Sequence, residues 1–348
     1  MLNRKNAHLY YSHRLTRRGD FENYRIKTIE PCGLSVGDLD IKTEFLGRKI
    51  FPNYINAITG GTELSKKINK RLVKMAKFLN VPIMTGSLNP FIKNDCFVGF
   101  EPFLDYDFVI ANLSARNSID DLKKVSDKLQ TPYVSLHLNT MQECFQFAGD
   151  TSFKNEAKNI EDAVKIFGDN LIIKGVGQGF SKESIHILKE LGVKNLDISG
   201  AGGTDFSKIE ILRSKSLTKG VFVDDCDDVY YPQIPTSESI LNAKDSGMYI
   251  IASGGIDNAK DIFMSLALGA NMTASAYYYL NLAKSSFNDA RDELDSRLIN
   301  LKRYMMISSS KTIADIKNKY EVIKWDWHHY HHPTIQMREK ENLKSNGC

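Results

Sequence analysis

Cysteine is scarce and unpaired in this sequence. Its five cysteines, Cys32, Cys96, Cys144, Cys226 and Cys348, are odd in number and form no Cys-x-x-Cys pair. That argues against a disulfide framework or a structural zinc site and points to a reducing compartment, the cytoplasm. Long apolar runs are missing too. None approaches the roughly 18 residues that suggest a membrane span, and the stretch from Met1 to Arg4 onward has no apolar signal-peptide segment, so neither membrane insertion nor export is expected. An excess of one charge is also lacking: 46 basic against 42 acidic residues leave a net charge of +4. The basic residues are spread out apart from a cluster at Arg14, Arg17 and Arg18. Nucleic-acid binding gains no support from this balance, whereas a small anionic substrate suits it.

What is present is an ordinary globular composition. Hydrophobic residues make up 42% and charged residues 25% of 348 positions, enough for a sizeable core. A single core usually stops growing at roughly 250 to 300 residues, but α/β barrels with insertions reach this length, so one elaborated domain is expected.

Short apolar or β-branched runs alternate with amphipathic helical stretches, the pattern of parallel βαβ units. Eight candidate strands follow: Asn53 to Ile58, Pro82 to Thr85, Phe108 to Leu113, Tyr133 to Asn139, Leu171 to Val176, Asn195 to Ser199, Met248 to Ala252 and Met272 to Ala276. Helical spacing of Leu, Ile, Val and Met fills Ser65 to Leu79, Ile119 to Leu129, Ser181 to Leu191 and Asn258 to Leu268. Ser65 and Ser181 stand where N-caps belong, and Gly192 and Gly269 where left-handed residues end helices. Eight such units predict an α/β fold, a (β/α)8 TIM barrel with N- and C-terminal extensions. Residues 1–50 form the first extension and 51–305 the barrel. Residues 306–348 form the second extension and a polar tail, preceded by one charged helix from Leu280 to about Tyr304.

In such a barrel, reacting groups sit at the C-terminal ends of the strands. Those positions hold Thr59-Gly60-Gly61, Gly86-Ser87, Asn112, His137-Leu138-Asn139, Lys174, Ser199-Gly200, Gly254-Gly255 and Ala274-Ser275. The loops after strands 7 and 8, Ser253-Gly254-Gly255-Ile256 and Ala274-Ser275, have the glycine content and placement of a phosphate cradle, although turns need glycine anyway. Lys174 ends an apolar strand, so its ammonium would face the barrel mouth, where it would stabilise negative charge on a bound group; the plainer alternative is a lysine reaching solvent. His137, Asn139, Gln142 and Glu143 form the densest polar group, the first two on one side of a strand and the others in the loop beyond. Three glycines in Ser199-Gly200-Ala201-Gly202-Gly203-Thr204 would let a ligand approach the backbone closely, with Glu210 six residues on.

These residues carry a resemblance. Arg4-Lys5-Asn6-Ala7-His8, Ile55-Asn56-Ala57-Ile58-Thr59-Gly60-Gly61, His137-Leu138-Asn139-Thr140-Met141-Gln142-Glu143, Asp197-Ile198-Ser199-Gly200-Ala201-Gly202-Gly203-Thr204 with Ile209-Glu210, and Ala252-Ser253-Gly254-Gly255-Ile256 with Leu268-Gly269-Ala270 together resemble type 2 isopentenyl diphosphate isomerase. The likeness runs from Arg4 to about Leu280.

The resemblance implies an enzyme that interconverts isopentenyl and dimethylallyl diphosphate with reduced FMN and Mg²⁺, NADPH serving only to reduce the flavin. It implies FMN contacts at Ala57, Ile58, Thr59, Ser87, Asn112 and Lys174, and at Ser199, Thr204, Gly254, Gly255, Ala274 and Ser275. Arg4, Lys5, His8 and His137 would hold the substrate diphosphate, with Asn139 beside them. Gln142 would lie against the allylic carbons, and Glu143 would bind Mg²⁺, a hard cation suited to one carboxylate plus phosphate oxygens. His137, Gln142 and Glu143 are the expected catalytic group. A homo-oligomer, tetramer or larger, is the family's usual assembly.

Several positions depart from the pattern. The family commonly has Met at Ile58, a basic residue at Asn89, Glu at Ala148, Glu at Gly175, a Trp-Gly pair near Pro232-Gln233, and Gly at Ala274. Asn89 calls one phosphate contact into question, and Ala274 narrows the approach to the FMN phosphate.

Two other readings compete: another FMN-dependent barrel oxidoreductase, and a degenerate flavin-binding paralogue without turnover. A 2-hydroxy acid oxidase needs a histidine base near the flavin, but no histidine follows strand 6 or 7 and His186 falls on a helix. An IMP dehydrogenase-like enzyme needs a cysteine nucleophile, and Cys226 is not set in such a pattern. The tract His328-His329-Tyr330-His331-His332 lies outside the repeating units and reads as a polar tail.

Overall fold

The computed structural model describes residues 4–15, 20–146, 152–218 and 232–323. The expectations about Arg17, Arg18, Ala148, Cys226, Cys348 and the histidine tract fall outside these residues.

Eight parallel strands close into a barrel: β1 (Asn53–Ile55), β2 (Ile83–Met84), β3 (Val109–Ser114), β4 (Val134–His137), β5 (Leu171–Lys174), β6 (Asn195–Asp197), β7 (Tyr249–Ala252) and β8 (Met272–Ser275). They pair in chain order, and β8 returns to β1 with Thr273 opposite Asn53. All eight expected strands are present. Both faces of β3 are buried, as are those of β4, β5 and β8, and β5 accordingly opens on a continuous apolar run, Leu171 to Ile173. Each fully buried Ile, Leu or Phe here is worth roughly 1.5–3 kcal/mol. The closing seam is also polar. Asn53 Nδ2 donates to Thr273 Oγ1 (2.8 Å) and Ser275 Oγ (3.1 Å), and Tyr279 donates its hydroxyl to Asn53 Oδ1 (2.9 Å).

Local chemistry explains the helix bounds. Ile119–Leu129 begins with a Ser118/Asp121 capping box and ends at Gln130 in the left-handed region (φ 51°). Ala259–Leu268 begins with Asn258 and Asp261 in the same arrangement and stops at Gly269 (φ 125°). Lys182–Glu190 has Ser181 as its cap, as expected. Ser65 does not cap its helix. Glu63–Leu79 starts two residues earlier, with Thr62 Oγ1 accepting from the Ser65 N–H, so Ser65 is inside the first turn. The expected single helix after β8 is two, Tyr277–Leu282 and Phe287–Ile307, because Ser286 caps a new helix at the Asp289 N–H.

The N-terminal extension serves both ends of the barrel. A hairpin, Thr43–Phe45 with Arg48–Ile50, covers the N-terminal end. Phe45 stacks on Tyr54 and Tyr249, Tyr249 donates its hydroxyl to Glu44 O, and Tyr133 donates to Leu46 O. At the opposite end, helix Arg4–Leu15 packs on helix Phe206–Thr218, with the Asp205 N–H bonded to Leu15 O. Tyr24–Ile26 pairs antiparallel with Tyr320–Val322 and ties the two chain ends together.

Candidate active site

A cavity of about 630 Å³ opens at the C-terminal ends of the strands, within the ordinary range for a small-molecule site. Its wall includes every site residue expected from the sequence except Thr59. Thr59 is turned into the protein: its hydroxyl bonds Ser65 Oγ (2.8 Å), and its carbonyl accepts from Asn69. Gln142 and Glu143 lie not in a loop but on a short helix, Thr140–Cys144, whose opening Asn139 folds back on it.

One side of the cavity is a charged cluster. Glu143 Oε1 accepts from Asn139 Nδ2 (2.9 Å) and lies 2.9 Å from Arg116 and 3.7 Å from Arg4. Gln142 Nε2 donates to Glu210 Oε1 (3.4 Å), which also takes Arg4 Nε (3.1 Å) and His8 Nε2 (2.6 Å), while Arg213 holds the other oxygen. Burial alone would push the Glu210 carboxyl up, but the His8 hydrogen bond and the Arg4 and Arg213 charges bring it down to about 2. Burial moves His8 down to about 4 against the pull of Glu210, and His137 well below its ordinary range, with the charges of Lys174 and Lys5 adding to the effect. Both histidines are therefore uncharged near neutrality. His137 is fixed by Nδ1 against Asn112 Oδ1 (3.1 Å). Lys5 is lowered to about 8 by burial and by Arg4, and Lys174 is lowered by burial.

The other side is built from tight backbone turns. A Cβ on Gly254 (φ +101°) would lie 2.1 Å from Gly200 O, and one on Gly200 would lie 2.4 Å from Thr236 Cα. The space a Cβ on Gly200 would need is filled by Thr236, whose hydroxyl also bonds Gly254 O (2.7 Å), while Gly200 and Gly203 both line the cavity. Ser199 sits at φ +36°, uncommon for a residue with a side chain, and its Oγ accepts from the Gly177 N–H (3.1 Å). Below it Asp197, fully buried, takes Asn56 Nδ2 (2.8 Å), the Ser253 hydroxyl and the Ser199 N–H (3.2 Å). Lys174 Nζ donates to Gly175 O (2.6 Å), and a Cβ on Gly175 would lie 3.3 Å from each of Gln178, Phe180 and Ser199.

Whether these walls suit a flavin and a metal is testable on the residues themselves. Ser87 Oγ and Asn89 Oδ1 are buried on the cavity wall with no hydrogen-bond partner among the described residues, which suits a polar ligand. Lys174 offers charge at the same mouth. For Mg²⁺ the wall offers the Glu143 carboxylate, whose Oε1 faces Asn139, Arg116 and Arg4. No cluster of three His, Cys, Asp or Glu side chains that would hold a metal occurs among the described residues.

Arg116 was not singled out from the sequence, although it lies two residues beyond β3 and the strand-end rule reaches it. Asp197 and Asn56 carried no signal by residue type, since their role is to join β1, β6 and β7 under the site.

The profile of the FMN-dependent dehydrogenase family matches residues 108–322. Isopentenyl-diphosphate delta-isomerase of Streptomyces sp. (strain CL190) is 33% identical over 286 residues, covering 81% of this chain and 76% of that one. The protein of the same name from Latilactobacillus sakei subsp. sakei (strain 23K) is 30% identical over 338 residues, covering 94% and 95%. Among solved structures, the recombinant flavin-binding domain of baker's yeast flavocytochrome b2 superposes with a TM-score of 0.64 over 97% of this chain and 87% of that one, at 17% identity, which shows the shared fold. With this identity sustained along the barrel, the chain belongs to the type 2 isopentenyl-diphosphate delta-isomerase family, on the barrel of the FMN-dependent dehydrogenases.

Proposed function

We propose that this protein interconverts isopentenyl and dimethylallyl diphosphate, with FMN reduced by NADPH and Mg²⁺ as cofactors. The observation that carries the reading is a single cavity with two unlike walls: a cationic and carboxylate cluster on helix Arg4–Leu15 and the β3 and β4 ends, and a lysine-and-glycine wall on the β5 to β8 ends. A diphosphate fits the first and a flavin the second.

Moving an isolated double bond requires a proton added at one carbon and another removed elsewhere, with no net redox change. Bound reduced FMN supplies an acid and base that ordinary side chains do not match. Arg4 and Lys5 give the diphosphate charge-assisted hydrogen bonds; His8 and His137, each with its single proton directed at Glu210 or Asn112 while neutral, would take up a second proton to donate to it. Glu143 would hold the Mg²⁺, which would supply positive charge to the diphosphate. Gln142, anchored on Glu210, orients the allylic carbons. Ala57, Ile58, Ser87, Asn112 and Lys174 with Ser199 and Thr204 surround the flavin ring and ribityl chain, while Gly254, Gly255, Ala274 and Ser275 cradle its phosphate. Residues 1–50 act as substrate arm and barrel plug, and the assembly is a cytoplasmic homo-oligomer.

The test is anaerobic incubation of the purified protein with isopentenyl diphosphate, FMN, Mg²⁺ and NADPH, beside a Gln142→Ala variant. Dimethylallyl diphosphate that requires reduced FMN and disappears in the variant is the expected result. A folded, flavin-bound protein that forms no product overturns the isomerase reading in favour of a paralogue without turnover or another FMN oxidoreductase.

A further inference from the structure

Arg297 has no part in the site as derived so far. It lies on helix Phe287–Ile307, outside the eight barrel strands, yet its residue is only 3% exposed. Its Nη2 donates to Ile256 O (3.2 Å) and Ser275 Oγ (3.4 Å), so one nitrogen joins the loops after β7 and β8. Ser275 Oγ donates to the same Ile256 carbonyl (2.6 Å), and the guanidinium carbon stands 3.9 Å from the centre of the Tyr278 ring. Nε and Nη1 are buried without a hydrogen-bond partner, and no carboxylate lies within ion-pair distance of Arg297 among the described residues. The buried Asp261 carboxylate accepts from the Asp257 and Asn258 N–H groups and feels the Arg297 charge without pairing with it.

A guanidinium stays charged in proteins, and a buried charge is costly unless something of opposite sign compensates it. The compensating group is sought in the cavity wall that Arg297 backs. The residues contributed there by the two loops include Gly254, Gly255, Ile256, Ala274 and Ser275; none is basic, and Asp257 is acidic. Backbone N–H groups alone would face a phosphate next to an aspartate. We propose that Arg297 is the counter-charge of the flavin-phosphate subsite, a positioning residue that fixes the β7 and β8 loops at Ile256 and Ser275 and offsets both Asp257 and the phosphate from behind them. This rests on the flavin placement above and extends it to a residue outside the barrel proper.

Binding of FMN and of riboflavin, which lacks the phosphate, to the apoprotein separates the possibilities. Flavin fluorescence quenching gives both dissociation constants for wild type, Arg297→Met and Arg297→Lys, and circular dichroism reports the fold. Arg297→Met is expected to weaken FMN by about tenfold or more, as loss of a charged partner does, with riboflavin changed less than about twofold. Arg297→Lys keeps the charge and most of the preference for FMN. A parallel loss for both ligands makes Arg297 merely structural and overturns the proposal, as does no loss for either. If Arg297→Met does not fold, Arg297→Lys decides: an FMN preference near that of wild type sustains the proposal and its collapse to none overturns it. Wild-type protein that binds riboflavin as tightly as FMN refutes the flavin-phosphate placement itself, a result distinct from any change confined to the variants.

Discussion

His8 Nε2 lies 2.6 Å from Glu210 Oε1, and this contact fastens the N-terminal helix over the barrel mouth. Burial holds His8 down to about 4, while Glu210, at about 2, stays ionised throughout the range in which His8 titrates. Arg4 and Lys5 add to the difficulty of protonating His8.

The sign of the pH effect follows. A detached helix leaves His8 with its ordinary value of 6.5, so between pH 6.5 and 4 the detached form binds a proton that the docked form excludes. The His8 contribution to docking is thus fully present above pH 6.5 and declines as pH falls toward 4. Hydrogen exchange of the helix amides, corrected for intrinsic rate, will show protection at pH 7.5 that declines at pH 5. His8→Gln will flatten that decline; equal protection at both pH values in wild type would contradict it.

Glu143→Gln keeps the shape of the side chain and removes its charge beside Arg116 and Arg4. Turnover is expected to fall on the order of 100-fold, about 2.7 kcal/mol in the barrier, with a raised Mg²⁺ requirement. Steady-state rates against Mg²⁺ concentration check this, and an unchanged Mg²⁺ dependence would remove Glu143 from the metal.

Lys174→Met takes away the one cationic side chain at the end of β5. Reduced flavin carries more negative charge than oxidised flavin, so the variant's bound FMN will have a lower reduction potential. Every 1.4 kcal/mol of lost stabilisation is worth about 30 mV for a two-electron couple. Potentiometric titration that finds wild type and variant alike would place Lys174 away from the flavin.

Gly254→Ala and Gly247→Ala form a matched pair. Both glycines have positive φ, +101° and +83°, but an added Cβ meets Gly200 O at 2.1 Å in the first and open space in the second. Gly247→Ala should cost about 1 kcal/mol, the backbone term alone. Gly254→Ala should cost ~3 kcal/mol or more and loosen flavin binding, because backbone must move. Thermal melts and FMN titration measure both, and equal losses would show that the close approach is not what selects glycine.

Phe45→Ala tests the plug at the other end of the barrel. Phe45 is buried between Tyr54 and Tyr249, and truncating such a ring costs about 3–5 kcal/mol. Denaturant unfolding should register that loss while the KM for substrate stays unchanged, since the cavity opens at the opposite end.

Much of this molecule is written locally. Strands such as Val109–Ser114 and caps such as Ser118, Ser181 and Gly269 are specified within a few residues, by burial on both faces or by one side chain satisfying a helix end. Once eight such units are counted, the barrel follows, and with it the rule that strand ends carry the chemistry. That rule assigns His137, Asn139, Lys174, Gly254 and Ser275 to one mouth from the sequence alone, and all five line the cavity. The tertiary structure decided what depends on closure. Thr59 lies in the right segment but is drawn inward by Ser65 and Asn69, and the side-chain space beside Gly200 is filled by Thr236. Glu210 meets His8 across 202 positions, and Arg297 reaches Ile256 from a helix 41 positions away. Periodicity and capping encode contacts between near neighbours, whereas these pairings exist only because the closed barrel brings remote residues within bonding distance.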